Sequence, residues 1–102
     1  MKDTLKNRIN NLSIAIDELC TLLYQQNINE GIGKLGLLLQ EIEDIINLIK
    51  FRDEETKNEA INLFNTLFKN IIDDIENNDA IRLADTVRYE LLENLKLYSN
   101  II

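Results

Sequence analysis

Three glycines in one short stretch form the first pattern in this sequence that could support chemistry. Gly31, Gly33 and Gly36 spell G-x-G-x-x-G, the loop in which backbone N–H groups approach a dinucleotide pyrophosphate at a helix N-terminus. That chemistry needs a strand before the loop and a βαβ unit around it. Here a long amphipathic segment of helical period precedes the glycines, and helical sequence follows. We therefore interpret them as glycines that begin a helix or permit close helix approach, and we predict no cofactor.

Acidic pairs and clusters are the second pattern. Inward carboxylates hold two metals in some four-helix bundles, where two of the helices also supply Glu-x-x-His pairs. This chain has no histidine, so we interpret Glu41 with Asp44, and Asp73 with Asp74 and Glu76, as solvated faces. The lack of histidine also removes the commonest general base and every Ser-His or Cys-His nucleophile. The sequence predicts no metal site and no enzyme.

The single cysteine is the third candidate for chemistry. Cys20 stands beside Leu19 and three residues before Leu23, which predicts a buried thiol in an apolar stripe rather than a catalyst. One cysteine cannot form an internal disulfide. The first residues also lack the continuous apolar run of a signal peptide. We expect a reducing, cytoplasmic location.

Charged and polar residues are most densely patterned in Asp79–Leu92. Helical spacing lets Arg82 reach Asp85, and lets Asp85 reach Arg88 or Tyr89. One interpretation is a surface ion-pair ladder, in which each pair contributes under ~1 kcal/mol. The other is a partly buried polar network of Asp85 and Tyr89 that fixes the register of the helix.

An acidic helix end, an Asp, a Leu-Ala-Asp triplet and a Tyr-Glu-Leu triplet follow one another here. They are Glu76, Asp79, Leu83-Ala84-Asp85 and Tyr89-Glu90-Leu91. This order resembles a pattern in a group of small uncharacterised helical bacterial proteins. The resemblance is confined to the last quarter of the chain. It implies a helical bundle and no known activity.

Two apolar stripes in the first half of the chain predict the helices that position these residues. Each stripe alternates spacings of four and three, which places its members on one face of a helix. We predict helices over residues 3–26 and 29–50, with Asp3 and Asn29 as N-caps. The stripes are Leu5, Ile9, Leu12, Ile16, Leu19 and Leu23, then Ile28, Ile32, Leu35, Leu39, Ile42, Ile46 and Ile49.

The second of these helices is apolar around most of its circumference. Leu37, Leu38, Ile45 and Leu48 widen the apolar face beyond one stripe, so we expect this helix to be the most buried. A helix of a single-chain bundle usually hides only one broad stripe. The four additional residues are therefore predicted to form an interaction surface, which meets either a partner or the centre of the bundle.

The second half of the chain predicts two more helices. Asp53 is the expected N-cap of a helix over residues 54–77, and Asn78 or Asp79 the expected N-cap of a helix over residues 79–99. Their inward residues are Ile61, Phe64, Phe68, Ile71 and Ile75, then Ala80, Ala84, Val87, Leu91, Leu95 and Tyr98.

Four helices of similar length joined by short connections favour antiparallel neighbours. The absence of proline leaves little to interrupt them. We predict an all-α single domain over residues 1–102, folded as an antiparallel up-and-down four-helix bundle. The alternative is a three-helix core whose fourth helix is shared with, or exchanged into, a partner chain.

The charge of the chain excludes two classes of partner. Eleven basic and eighteen acidic residues give a net charge of −7, which repels phosphate backbones and anionic membrane surfaces. Nowhere do the approximately eighteen consecutive apolar residues of a membrane span occur. We expect neither nucleic acid nor membrane as a partner.

These observations favour a non-enzymatic cytosolic module for protein–protein interaction that acts through an apolar helical face. Its expected partner is a protein, with a homodimer as the leading form. The alternative is a chaperone-like protein that holds a client helix in export or secretion, a hypothesis that depends on analogy between folds.

Overall fold

Four long helical rods make up the part of the chain that the structure describes. The structure is a computed structural model, which describes the backbone of residues 2–99 and the side chains of residues 4–99. Helix α1 spans Lys2–Tyr24, α2 spans Ile28–Leu48 and α3 spans Glu54–Glu76. The fourth rod is continuous and consists of α4 (Ala80–Asp85), a π-helical turn (Thr86–Leu91) and α5 (Leu92–Ser99). Residues 2–99 contain no strand, and the predicted all-α helical bundle is confirmed.

Neighbouring rods run in opposite directions. Arg8, in the first half of α1, binds Glu41, in the second half of α2. Tyr98, near the end of the fourth rod, packs its ring 6.0 Å from that of Phe64, in the first half of α3. Helix α1 packs along α2 and along the fourth rod, and α3 packs along the fourth rod, whereas α2 and α3 make few close approaches. The bundle is therefore open along its α2–α3 side.

The same hydrogen-bonded turn ends both α1 and α3. After α1, the Asn27 N–H donates to the Leu22 carbonyl and the Gln26 N–H to the Leu23 carbonyl, which is a Schellman motif. The turn after α3 repeats this pattern. Gln26 and Asn78 adopt positive φ angles of 61° and 54° at equivalent positions. Each turn reverses the chain within three residues, so successive rods lie side by side.

Two of the predicted N-caps are confirmed. Asp53 Oδ1 accepts from the backbone N–H of Thr56 at 2.7 Å, and Asp79 Oδ1 accepts from that of Arg82 at 3.1 Å. Each bond satisfies a donor that the first helical turn leaves without a partner. Both acids therefore fix where their helix begins.

The predicted N-cap at Asn29 is wrong. Helix α2 begins one residue earlier, at Ile28, and Asn27 occupies the N-cap position without a side-chain capping bond. The Asn27 side-chain amide donates instead to the Glu30 carboxylate at 2.7 Å. The predicted N-cap at Asp3 lies outside the described side chains.

Helix α1, not α2, contributes most to the core. Helix α1 lies between α2 and the fourth rod and is covered on both flanks, whereas α2 has close helical neighbours on one flank only. The buried residues of α1 are Ile9, Leu12, Ile16, Leu19, Cys20 and Leu23, and those of α2 are Gly31, Leu35, Ile42 and Ile45.

One of the three glycines permits a close approach between helices. A Cβ atom on Gly31 would lie 2.7 Å from Cδ2 of the buried Leu23 on α1. Apart from the flanking residues and the local helix backbone, no atom lies within 4 Å of the equivalent position on Gly33 or Gly36. All three stand inside a helix, with no strand before them, so the formal dinucleotide pattern lacks the loop that it requires.

Candidate interaction surface

The four predicted surface residues of α2 differ in how exposed they are to solvent. The side chain of Leu37 is 78% exposed and that of Leu48 is 48% exposed. Leu38 is half-buried and packs against the core. Ile45 is fully buried, so of the two predicted alternatives it meets the centre of the bundle and is not part of an exposed surface. Ile45 follows Ile42 by three residues, and this helical spacing places it on the face that α2 turns toward the core.

Leu37 and Leu48 belong to one face of α2, which also carries Glu41 and Asp44. The spacings of four, three and four along this row place all four residues on one side of the helix. We refer to them as the outer stripe. The guanidinium of Arg8 on α1 binds Glu41 and lies 3.9 Å from Asp44 Oδ2. The outer stripe therefore has an exposed leucine at each end and a partly exposed ion-pair group between them.

A cleft opens where α2 ends and α3 begins. Its volume is about 420 Å³. Its lining is half apolar and half polar, and Ile61 of α3 is 37% exposed. Phe51 lies in the cleft and packs its ring 6.1 Å from that of Tyr98, so the cleft adjoins the end of the core. We refer to it as the α2–α3 cleft. It is lined by Ile46, Asn47, Ile49, Phe51, Asp53, Glu54, Lys57 and Ile61.

The charged residues at the rim of the cleft differ in what they bind. Asp53 caps α3, and the hydrogen bond from the Thr56 N–H holds the pKa of its carboxyl below the usual range. Its other oxygen lies 3.4 Å from Nε of Arg52. Glu54 and Lys57 form no ion pair with any side chain that the structure describes. One carboxylate and one ammonium group are thus available for an external partner.

The open α2–α3 side continues beyond the cleft toward the other end of the bundle. On each helix, three apolar residues recur every seven positions and so share a face. Ile32 of α2 is 36% exposed. Ile72 of α3 follows Phe68 by four residues and so lies on the same side of α3, where it is 54% exposed. The two rows are Ile32, Leu39 and Ile46 on α2, and Ile61, Phe68 and Ile75 on α3.

The predicted polar network of Asp85 and Tyr89 is wrong, because Asp85 is paired with Tyr24 instead of Tyr89. The Tyr24 hydroxyl of α1 donates to Asp85 Oδ1 at 2.9 Å, and this bond raises the pKa of Tyr24 to about 12. Tyr89 is 61% exposed, with the guanidinium of Arg88 5.7 Å from the centre of its ring. Spacing within one helix indicated which residues share a face, but not that a neighbouring helix supplies a hydroxyl.

Cys20 lies in the same α1–fourth rod interface. It is buried, as predicted, and its Sγ lies 3.6 Å from the carbonyl oxygen of Ala84. Burial raises the pKa of the Cys20 thiol to about 11, so little thiolate forms near neutral pH. At the edge of the interface, Arg88 lies 3.7 Å from Asp17. This thiol is a poor nucleophile and packs as a small apolar side chain.

Asp74 and Thr86 form a buried polar contact that the sequence interpretation missed. Asp74 is buried, with its Oδ2 3.1 Å from the Thr86 hydroxyl and its Oδ1 3.4 Å from Nε of Arg82. The interpretation of Asp74 as part of a solvated face is therefore wrong. Its spacing from Leu67 and Ile71, seven and three residues, is the signal that places it on the core face.

Within residues 2–99, no three acidic, cysteine or histidine side chains gather as metal ligands would. No helix in this range has the length and apolar character needed to cross a membrane.

Comparison with known proteins places the chain in a family. A family model matches residues 1–101. The chain belongs to the family described as Domain of unknown function (DUF8042). The match to DUF8042 extends over nearly the whole chain, so it neither depends on nor tests the resemblance noted in the last quarter. Neither the curated proteins nor the solved structures gave a match.

Proposed function

We propose that this chain is a non-enzymatic cytosolic module for protein–protein interaction that acts through the apolar surface of α2. The observation that carries the proposal is the 78% exposure of Leu37, with Leu48 exposed on the same outer stripe. Covering a leucine side chain gains roughly 1.5 to 3 kcal/mol. The fold leaves two leucines of one helical face uncovered, so a partner that covers them gains this free energy.

The outer stripe is suited to a helical or flat protein surface. Leu37 and Leu48 are eleven residues apart, which corresponds to about 16 Å along a helix. One partner helix spans that distance. Glu41, Asp44 and Arg8 lie between the two leucines and supply polar groups that favour one orientation of the partner. The chain has no histidine and its one thiol is buried, which supports binding rather than catalysis.

A capture experiment with matched variants tests the proposal. Immobilised wild-type chain is compared with the double variant Leu37→Ser and Leu48→Ser in native extract, and bound proteins are quantified by mass spectrometry. The control is Ile14→Ser with Leu97→Ser, because these residues are also highly exposed but lie on α1 and α5. We expect the outer-stripe variant alone to lose specific partners, at least ten-fold. Equal retention by all three proteins contradicts the proposal.

A chaperone-like role is the second candidate, and the open α2–α3 side favours it. Two flanking helices with partly exposed apolar rows provide a groove of the kind that holds an amphipathic helix. Substituting Ile32→Ser and Ile72→Ser should release a co-purifying client while the outer-stripe variant retains it. Purification that recovers no exported or filament protein with the wild-type chain contradicts this role.

A further inference from the structure

We propose that a second copy of this chain docks at the α2–α3 cleft, with the two α3 helices antiparallel and Glu54 and Lys57 of each copy paired with Lys57 and Glu54 of the other. Ile61 of each copy enters the cleft of the other. This inference goes beyond the proposed function, because it concerns one specific partner, a second copy of the chain. It uses a different part of the surface from the outer stripe.

Charge is the first argument for a second copy. Glu54 and Lys57 are exposed, opposite in sign and three residues apart on α3, and neither pairs with a described side chain. Two identical helices that cross antiparallel place each of these groups beside its opposite. Together with Asp53 and Arg52, which pair with each other, they leave the rim of the cleft neutral. A rim without net charge reduces the repulsion between two copies of a chain with a net charge of −7.

Symmetry is the second argument. A two-fold axis between residues 55 and 56 leaves Glu54 and Lys57 each about 2 Å from the axis along the helix. Both ion pairs then form at once, and the interface is the same patch on both copies, as closed dimers require. A single ion pair at an exposed site contributes little, so the apolar residues must supply most of the affinity.

The position of Ile61 provides this apolar contribution. Ile61 lies four residues after Lys57 on the same face of α3, about 6 Å farther along the helix. In the antiparallel arrangement Ile61 lies beyond the N-terminal end of the other α3, over the connection that carries Ile49 and Phe51. These two residues line the cleft, whose volume of about 420 Å³ accommodates an isoleucine side chain. The exposed Ile61 therefore fills the apolar part of the opposite cleft.

Sedimentation velocity of the full chain tests the inference through charge exchange. The wild-type mass should rise from 11.9 kDa toward twice that value with concentration, over about 5 to 500 µM, because the small patch predicts weak association. Glu54→Lys and Lys57→Glu should each weaken dimerisation at least ten-fold. Circular dichroism melting of each variant confirms that the fold is retained.

Recombining the charges provides the decisive comparison. The double variant Glu54→Lys with Lys57→Glu restores opposite charges across the two-fold axis and should dimerise within three-fold of the wild type. An equimolar mixture of the two single variants should form a heterodimer, because every cross-copy contact is then attractive. Neither result follows if the single substitutions only perturb the helix.

Two outcomes overturn the inference. In the first, the wild-type chain stays at 11.9 kDa over the whole range, which leaves capture of other proteins by the outer stripe unaffected. In the second, the dimer persists in both charge variants and is lost with Leu37→Ser and Leu48→Ser. That result assigns the dimer to the outer stripe and supports the proposed function without this interface.

Discussion

Tyr24 and Asp85 illustrate how a single polar contact links two rods at the protein surface. The phenol of Tyr24, the last residue of α1, donates to Asp85, the last residue of α4. A carboxylate that accepts from a phenol favours the protonated phenol and raises its pKa. Tyr24 is itself partly exposed, so solvent reduces the contribution of this bond to stability. The contact fixes the end of α1 against the fourth rod rather than forming a chemical site.

The pH dependence of this contact follows from the raised pKa of Tyr24. Its contribution to stability is fully present below pH ~10, the pKa of an unperturbed tyrosine, and is lost as pH rises through about 12. Asp85→Asn should move the titration of Tyr24 toward lower pH, as measured by NMR of ring-labelled tyrosine. Asp73→Asn, an exposed carboxyl elsewhere, is the control. An unchanged Tyr24 titration in Asp85→Asn would show that the hydrogen bond is absent in solution.

Among the elements, the fourth rod differs most from the sequence prediction. The sequence predicted one uniform helix over residues 79–99, but a π-helical turn occupies Thr86–Leu91. Val87, Leu91 and Leu95 are spaced four and four, and on a regular α-helix each step of four drifts about 40° around the axis. The wider turn counteracts this drift, so all three side chains stay in the core. Two consecutive spacings of four were the available signal.

Thr86, the first residue of the π-helical turn, should be important for stability. Its hydroxyl lies 3.1 Å from the buried carboxylate of Asp74 and 3.0 Å from the Arg82 carbonyl. Thr86→Val keeps the shape of the side chain but removes a donor to Asp74, which should lower the free energy of unfolding by about 1 to 3 kcal/mol. Urea denaturation measures the loss.

Thr66→Val is the matched control for this substitution. Thr66 is exposed on α3, and its hydroxyl bonds only to the carbonyl of Asn62 in the preceding turn. Its replacement should change the free energy of unfolding by less than about 0.5 kcal/mol. Equal losses in the two variants would mean that Asp74 does not depend on Thr86.

For the whole molecule, apolar spacing predicted the rods and most of the core but not how the rods meet. Spacing determines which residues share a face, because that depends only on the geometry of one helix. It does not determine which neighbour covers that face. Helix α2 is apolar on both flanks. Only the structure shows that α1 packs along one flank and that α3 makes few close approaches to the other. The burial of Ile45 and the Tyr24–Asp85 contact depend on the same information.

The open α2–α3 side and the outer stripe give the molecule two apolar surfaces on one half of the bundle. Both include residues of α2, whereas α1 is covered along both flanks. A net charge of −7 favours the solubility of a chain with exposed leucines. We therefore propose that α2 contributes its buried face to the fold and its outer stripe to binding.

Comparison of two leucines on α2 tests this assignment most directly. Leu35 is 2% exposed and Leu37 is 78% exposed, although they are two residues apart on one helix. Leu35→Ala should lower the free energy of unfolding by about 2 to 5 kcal/mol, and Leu37→Ala should change it by less than about 0.5 kcal/mol, both measured by urea denaturation. A cost for Leu37→Ala as large as that for Leu35→Ala would contradict the account, because the fold itself would then cover Leu37.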